Sequence, residues 1–135
     1  MARTAERAVG PGQPRVHFAT FGEGARYSAR ARALCRQARE STWFDRVQCH
    51  DLSTIQPDFL GGADLAFVKR NMQRGAGYWL WKSSVVLQEL DAMEDGDVLL
   101  YSDSAADLNY PAGQRRMAAY MDLVRRSLGG MLVFQ

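Results

Sequence analysis

Two aspartate groups and one glycine-rich basic segment carry the chemistry that the residue types allow. Asp95-Gly96-Asp97 is a literal D-x-D, two carboxylates spaced as in many metal sites. It precedes the apolar run Val98-Leu99-Leu100-Tyr101, and Asp95-Gly96 is a turn signal, so it reads as a turn. Asp103 follows the same run. If 97–102 is a strand, the six positions from Asp97 put Asp103 roughly 20 Å away, at the opposite end. Ligands of open parallel sheets bind beyond the carboxyl ends of the strands, which favours Asp103. A carboxylate there suits Mg2+ or Mn2+, which bridges diphosphate oxygens and stabilises charge on a leaving group. The plainer reading is an Asp that caps the next turn. Asp107 supplies a second carboxylate if the intervening segment turns helically. Ser102 and Ser104 are placed to meet ligand hydroxyls.

The second constellation is Arg74-Gly75-Ala76-Gly77-Tyr78-Trp79-Leu80-Trp81-Lys82, a glycine loop feeding a helix. Glycines permit close backbone approach, a helix N-terminus offers free N–H groups, and Arg74 and Lys82 add positive charge, so the segment suits a diphosphate. Lys82 near a helix N-terminus opposes the helix dipole at a cost of about 0.3–1 kcal/mol, which a bound anion offsets and a snorkelling surface lysine tolerates. Only Lys69 and Lys82 are lysines; arginine supplies the remaining basic residues. Tyr78, Trp79 and Trp81 read first as anchors of the helix on a sheet and second as stacking platforms for a base.

Strands and helices alternate around these residues. The run 16–21 reads as a buried strand, and Tyr27, Ala31, Leu34, Cys35 and Ala38 recur at helical spacing with Arg30, Arg32, Arg36 and Arg39 outside. Residues 43–49 form a second strand region, and Gln56-Pro57-Asp58 opens a helix toward Lys69, with proline suited to a first turn. The segment 71–77 is a loop, 79–93 a deeply packed helix, and 97–102 the third strand. Met117, Tyr120, Met121, Val124 and Leu128 give another helical stripe. Gly129-Gly130 stops it, and 131–134 reads as a fourth strand. The fold class is therefore α/β and Rossmann-like, a mostly parallel sheet with helices on both faces.

The 135 residues, 47% hydrophobic and 24% charged, fit one domain rather than a disordered chain. Residues 1–15 read as a flexible leader and 16–135 as the domain, C-terminally incomplete where such sheets usually continue. A net charge of +2 is too balanced to imply nucleic-acid binding. No apolar stretch approaches a transmembrane span and no signal-peptide core is present, so the expected location is cytoplasmic. Cys35 and Cys49 fit neither CxxC nor zinc-ribbon spacing and read as buried free thiols of a reducing compartment. His17 and His50 read as core residues rather than ligands, since Cys49, His50 and Asp51 alternate across a strand.

The run GYWLWK at 77–82, followed by GDVLLYSDS at 96–104, resembles a family of bacterial and viral GT-A glycosyltransferases that share a GYWxWK segment, a helix and a strand ending in Tyr-x-Asp. VHFATFG at 16–22 and GGMLVFQ at 129–135 are similar to that family's first strand and a later one. The chain departs from the pattern at Ser83, where proline is expected, and at Ser104-Ala105-Ala106. The resemblance implies the donor-binding half of a GT-A fold. It also implies a nucleotide-diphosphosugar donor, Mn2+ or Mg2+, and transfer to a glycan or related acceptor in polysaccharide biosynthesis. Asp103 carries over as the metal-site aspartate, Lys82 as a diphosphate or donor-sugar contact, and Thr20, Phe21 and Gly22 as the lining of the nucleotide pocket. Two other readings stand beside it. One is a non-catalytic Rossmann-like module that self-associates through an exposed sheet edge. The other is an AdoMet-dependent methyltransferase, although Gly22-Glu23-Gly24-Ala25 lacks a full glycine fingerprint.

Overall fold

Val16–Phe21 is buried at all six positions, a pattern that only a strand covered on both faces and paired on both edges produces. In the computed structural model, which describes residues 12–133, this strand is the centre of the sheet. The elements run β1 (Val16–Phe21), α1 (Gly24–Ser41), β2 (Arg46–His50), α2 (Gly62–Arg70), α3 (Gly75–Tyr78), α4 (Leu80–Asp91), β3 (Val98–Tyr101) and α5 (Gln114–Arg126). The order across the sheet is β2-β1-β3, and both pairings are parallel. His17 lies opposite Arg46 on one side and Leu99 on the other. The protein is thus α/β, with an open three-stranded parallel sheet.

Alternation along β1 divides the core in two. Val16 and Phe18 face Leu34, Cys35 and Ala38 of α1 and Met121 of α5. Phe21 points the other way, toward Val68 of α2 and Trp81 and Val85 of α4. Each large apolar side chain buried in this way contributes about 1.5–3 kcal/mol, so these two clusters hold helices on both faces. Arg30, Arg32, Arg36 and Arg39 lie on the exposed side of α1, as its periodicity predicts.

Several expectations are corrected. The second strand begins at Arg46 rather than at Trp43, because Trp43 and Phe44 turn into the core and the Asp45 carboxylate accepts from Val16 N at 2.8 Å. The helix expected from Pro57 begins at Gly62. Ile55 and Leu60 are buried, and the chain between them turns on hydrogen bonds from Phe59 and Leu60 N–H to the Gln56 carbonyl. Residues 131–133 form no strand: a β-prone run without a partner ladder has nothing to satisfy its backbone, and Met131 and Val133 are exposed. Phe134 lies outside the described residues.

Cys35 and Cys49 are not free thiols. They form a disulfide between α1 and β2, with a Cα–Cα distance of 6.2 Å, inside the normal range. A spacing rule tests for local motifs, whereas this pair meets because α1 folds back over the strand that follows it. The ground for placing the chain in a reducing compartment falls with it. At the other end of the chain, Arg15 already belongs to the sheet, its carbonyl accepting from Val98 N at 2.9 Å. The flexible-leader expectation for residues 1–11 lies outside the described residues.

Candidate functional site

β1 ends at Phe21 and β3 at Tyr101, which lies opposite Ala19, and a cavity of about 290 Å3 opens at this carboxyl edge of the sheet. Phe21, Gly22 and Glu23 form one wall. Gly22 is required there: a Cβ would lie 2.1 Å from the Tyr27 carbonyl oxygen. That close approach brings the first turn of α1, with Tyr27, to the rim. Glu23 is fixed by Leu52 N, which donates to Oε2 at 2.8 Å.

The glycine segment supplies the opposite wall through Gly75, Ala76, Trp79 and Trp81. Its conformation is not an ordinary loop. Gly75, Ala76, Gly77, Tyr78 and Trp79 all have positive φ, between 47° and 83°, and form one left-handed helical turn. Tyr78 N donates to Arg74 O at 2.7 Å and Trp79 N to Gly75 O at 3.0 Å. Each non-glycine residue in this region costs about 1–2 kcal/mol, so Ala76, Tyr78 and Trp79 store strain beside the cavity. Surrounding contacts hold it. The Trp81 ring stacks on Phe21 at 3.9 Å, its Nε1 donates to Gly75 O at 3.0 Å, and Gly77 is wedged where a Cβ would lie 2.5 Å from Val68 Cα.

Asp103 stands on the third wall with Ser104. Lys82, in the first turn of α4, places Nζ 3.1 Å from Asp103 Oδ1 and 3.3 Å from Oδ2. Tyr101 donates its hydroxyl to Oδ1 at 3.0 Å. Burial first, and then the charge and hydrogen bond of Asp103, push the Tyr101 phenol far above its ordinary value, so it remains a neutral donor. The ammonium also lies 5.9 Å from the ring centroids of both Trp81 and Tyr101, within cation–π range. Asp103 and Trp81 line the cavity, whereas Lys82 and Tyr101, which contact Asp103, lie outside its lining.

Other residues singled out in the sequence fall elsewhere. Thr20 is fully buried inside the sheet layer and does not line the cavity. Arg74 is exposed beside the left-handed turn, outside the wall. Tyr78 leans on Phe67 at 6.0 Å rather than on the sheet. Of the three aromatics, Trp81 anchors the helix while Tyr78 and Trp79 stay about half exposed. Ser102 extends the ladder, its N–H donating to Ala19 O, and its hydroxyl contacts the Asp103 carbonyl. Asp107 is not brought to Asp103: the chain turns once, Ala106 N to Asp103 O, and Asp107 then accepts from Gln37 Nε2 at 2.9 Å.

Asp97 lies at the far edge and staples the sheet. Its carboxylate accepts from Arg15 N and His17 Nε2, both at 2.8 Å, and from Glu94 N at 3.3 Å. Burial alone would raise its pKa. The N–H of Arg15, the His17 ring and the N–H of Glu94 outweigh burial and hold it below the ordinary value. Sequence reasoning missed a second buried pair. His50 Nε2 sits 2.6 Å from Glu89 Oε1, and Nδ1 sits 2.8 Å from Thr54 Oγ1, beside a polar cleft of about 210 Å3. Glu89 falls on the stripe of Trp81 and Val85, and an acid in a buried stripe was the available signal.

Among the described residues no group of three or more His, Cys, Asp or Glu side chains gathers. Mg2+ commonly takes one or two carboxylates and completes its shell with water and substrate oxygens, so the exposed Asp103 carboxylate fits an ion that arrives with a phosphate ligand. No family model matches the chain, and neither a curated protein nor a solved structure matches it. No helix among the described residues is long and apolar enough to cross a membrane.

Proposed function

We propose that this chain is the donor-binding half of a GT-A glycosyltransferase: it takes a nucleotide-diphosphosugar at the carboxyl edge of a Rossmann-like sheet, with Mn2+ or Mg2+ at Asp103, for transfer to a glycan or related acceptor. The observation that carries the reading is the cavity itself. It joins the end of β1, the strained glycine turn and Asp103, to which Lys82 is paired, at the edge where parallel sheets bind ligands. Exposed aromatic faces suit a base or sugar ring, and Lys82 suits a diphosphate. The metal, when bound, would neutralise charge on the departing diphosphate. Asp103 would hold it, Lys82 would meet the phosphates, and the left-handed turn would keep the wall in place. No residue is assigned to proton transfer.

Thermal shift with nucleoside diphosphates, with and without Mn2+ or Mg2+, tests this. A ligand at one hundred times its Kd adds about 2.7 kcal/mol of stability. A folded sample with no metal-dependent stabilisation would sink the reading. Asp103→Ala is expected to remove the metal-dependent increment, whereas Asp97→Ala leaves it. A second reading, a binding module that self-associates, is favoured by one observation: among the described residues β2 and β3 each pair with β1 alone. Light scattering that shows a concentration-independent monomer would remove it.

A further inference from the structure

The Lys82–Asp103 pair is a costly arrangement for a site meant to bind either of two ions. A divalent cation reaching Asp103 by itself meets the Lys82 ammonium, which stands 3.1 Å from the same carboxylate. A diphosphate reaching Lys82 by itself meets the Asp103 carboxylate. Yet the pair is not locked. The side chains are 39% and 58% exposed, and ion pairs so exposed are worth only about 0–1 kcal/mol, so little opposes their separation. Tyr101 keeps Asp103 oriented after Lys82 leaves, and in the paired state the ammonium already lies 5.9 Å from the Trp81 and Tyr101 ring centroids.

We infer that the pair is a charge latch: it admits a divalent cation and a diphosphate together, and each alone only weakly. Bound together, the cation takes the carboxylate that Lys82 gives up, and the phosphate takes the ammonium that Asp103 gives up. Neither charge of the pair is then left unpaired. Separately, each ion leaves a like charge facing it. The two ligands are therefore coupled through the latch, and each raises the affinity of the other by the same factor. This inference rests on the proposed diphosphate site and adds to it a coupling: the cation and the diphosphate bind well only together.

The latch makes a signature that simple contact residues do not. Removing a contact weakens binding, whereas removing one half of a latch strengthens binding of the ion that the half repelled. Isothermal titration with inorganic pyrophosphate alone, Mn2+ alone and the two together separates these cases in wild type, Asp103→Asn and Lys82→Met. Circular dichroism establishes that each is folded, which the exposure of both side chains favours. Asp103→Asn is expected to bind metal-free pyrophosphate about fivefold or more tighter than wild type, at the low end of coupling between sites. Lys82→Met is expected to bind Mn2+ alone tighter by a similar factor. Equal or weaker binding in either single-ion titration overturns the latch. If wild type binds the Mn2+ and pyrophosphate pair while neither variant gains, the latch fails and the diphosphate site stands. If no folded form binds any of the three, both fail.

Discussion

Asp97→Ala separates a structural carboxylate from the one proposed to bind metal, and its size follows from three hydrogen bonds. Arg15 N and Glu94 N lie at exposed positions, where water replaces the lost acceptor, so each bond accounts for about 0.5–1.5 kcal/mol at most. His17 differs. It is 3% exposed, and its Nδ1 already has no partner, so losing Asp97 leaves both ring nitrogens without one. A buried polar group left unsatisfied costs about 1–3 kcal/mol. The sum is about 2–6 kcal/mol, which for a domain of this size lowers Tm by roughly 10–20 °C. The pH dependence follows from the same contacts. The folded carboxyl is more acidic than the unfolded one, so the unfolded chain takes up the proton first as pH falls. The stabilisation is complete above the unfolded value near 3.8 and drains away as pH drops through the folded value. Thermal melts of wild type and Asp97→Ala should therefore keep their full separation above the unfolded value near 3.8 and draw together only below it. Ligand-induced shifts should be unchanged in the variant. A Tm within about 2 °C of wild type at neutral pH, or loss of the ligand response, would refute the assignment of Asp97 to the far edge.

Gly77→Ala should destabilise by about 2–5 kcal/mol in urea titrations, because a Cβ meets the Val68 backbone and φ is +83°. A cost under about 1 kcal/mol would mean that the left-handed turn is absent. Denatured, unreduced protein should show no titratable thiol, and reduction should cost about 3 kcal/mol for a loop closed over 14 positions. Two free thiols would show that Cys35 and Cys49 are unpaired. Glu89→Ala should destabilise by at least about 1–3 kcal/mol, since it strands His50 Nε2 in the interior; a neutral result would place water at that nitrogen.

Local pattern carried the elements whose burial is periodic. The arginine series of α1, the apolar run of β3 and the two-sided burial of β1 are each visible in a window of a few residues, because one face or both faces must avoid water. Boundaries failed where tertiary packing outweighed local preference. Pro57 suits a helix start, but Ile55 and Leu60 draw that segment into a buried turn. The left-handed turn was not legible either. Gly75 and Gly77 permit it, but nothing local asks Ala76, Tyr78 and Trp79 to bear positive φ, and the Trp81 stack on a distant strand holds them there.

The sequence by itself determined that Asp103 and Asp97 stand at opposite edges of the sheet: Asp103 follows the third strand and Asp97 precedes it, and strand direction then separates them whatever packs around them. It also placed Lys82 at the start of a helix beside a glycine segment. Only the tertiary structure decided which of these charges meet. Lys82 reaches Asp103 across 21 positions while Asp107, four residues from Asp103, turns to Gln37 on α1. The disulfide and the His50–Glu89 pair belong to the same class, spanning 14 and 39 positions. Such contacts depend on how helices lie over strands, a matter of whole-core packing that no periodicity within one segment encodes.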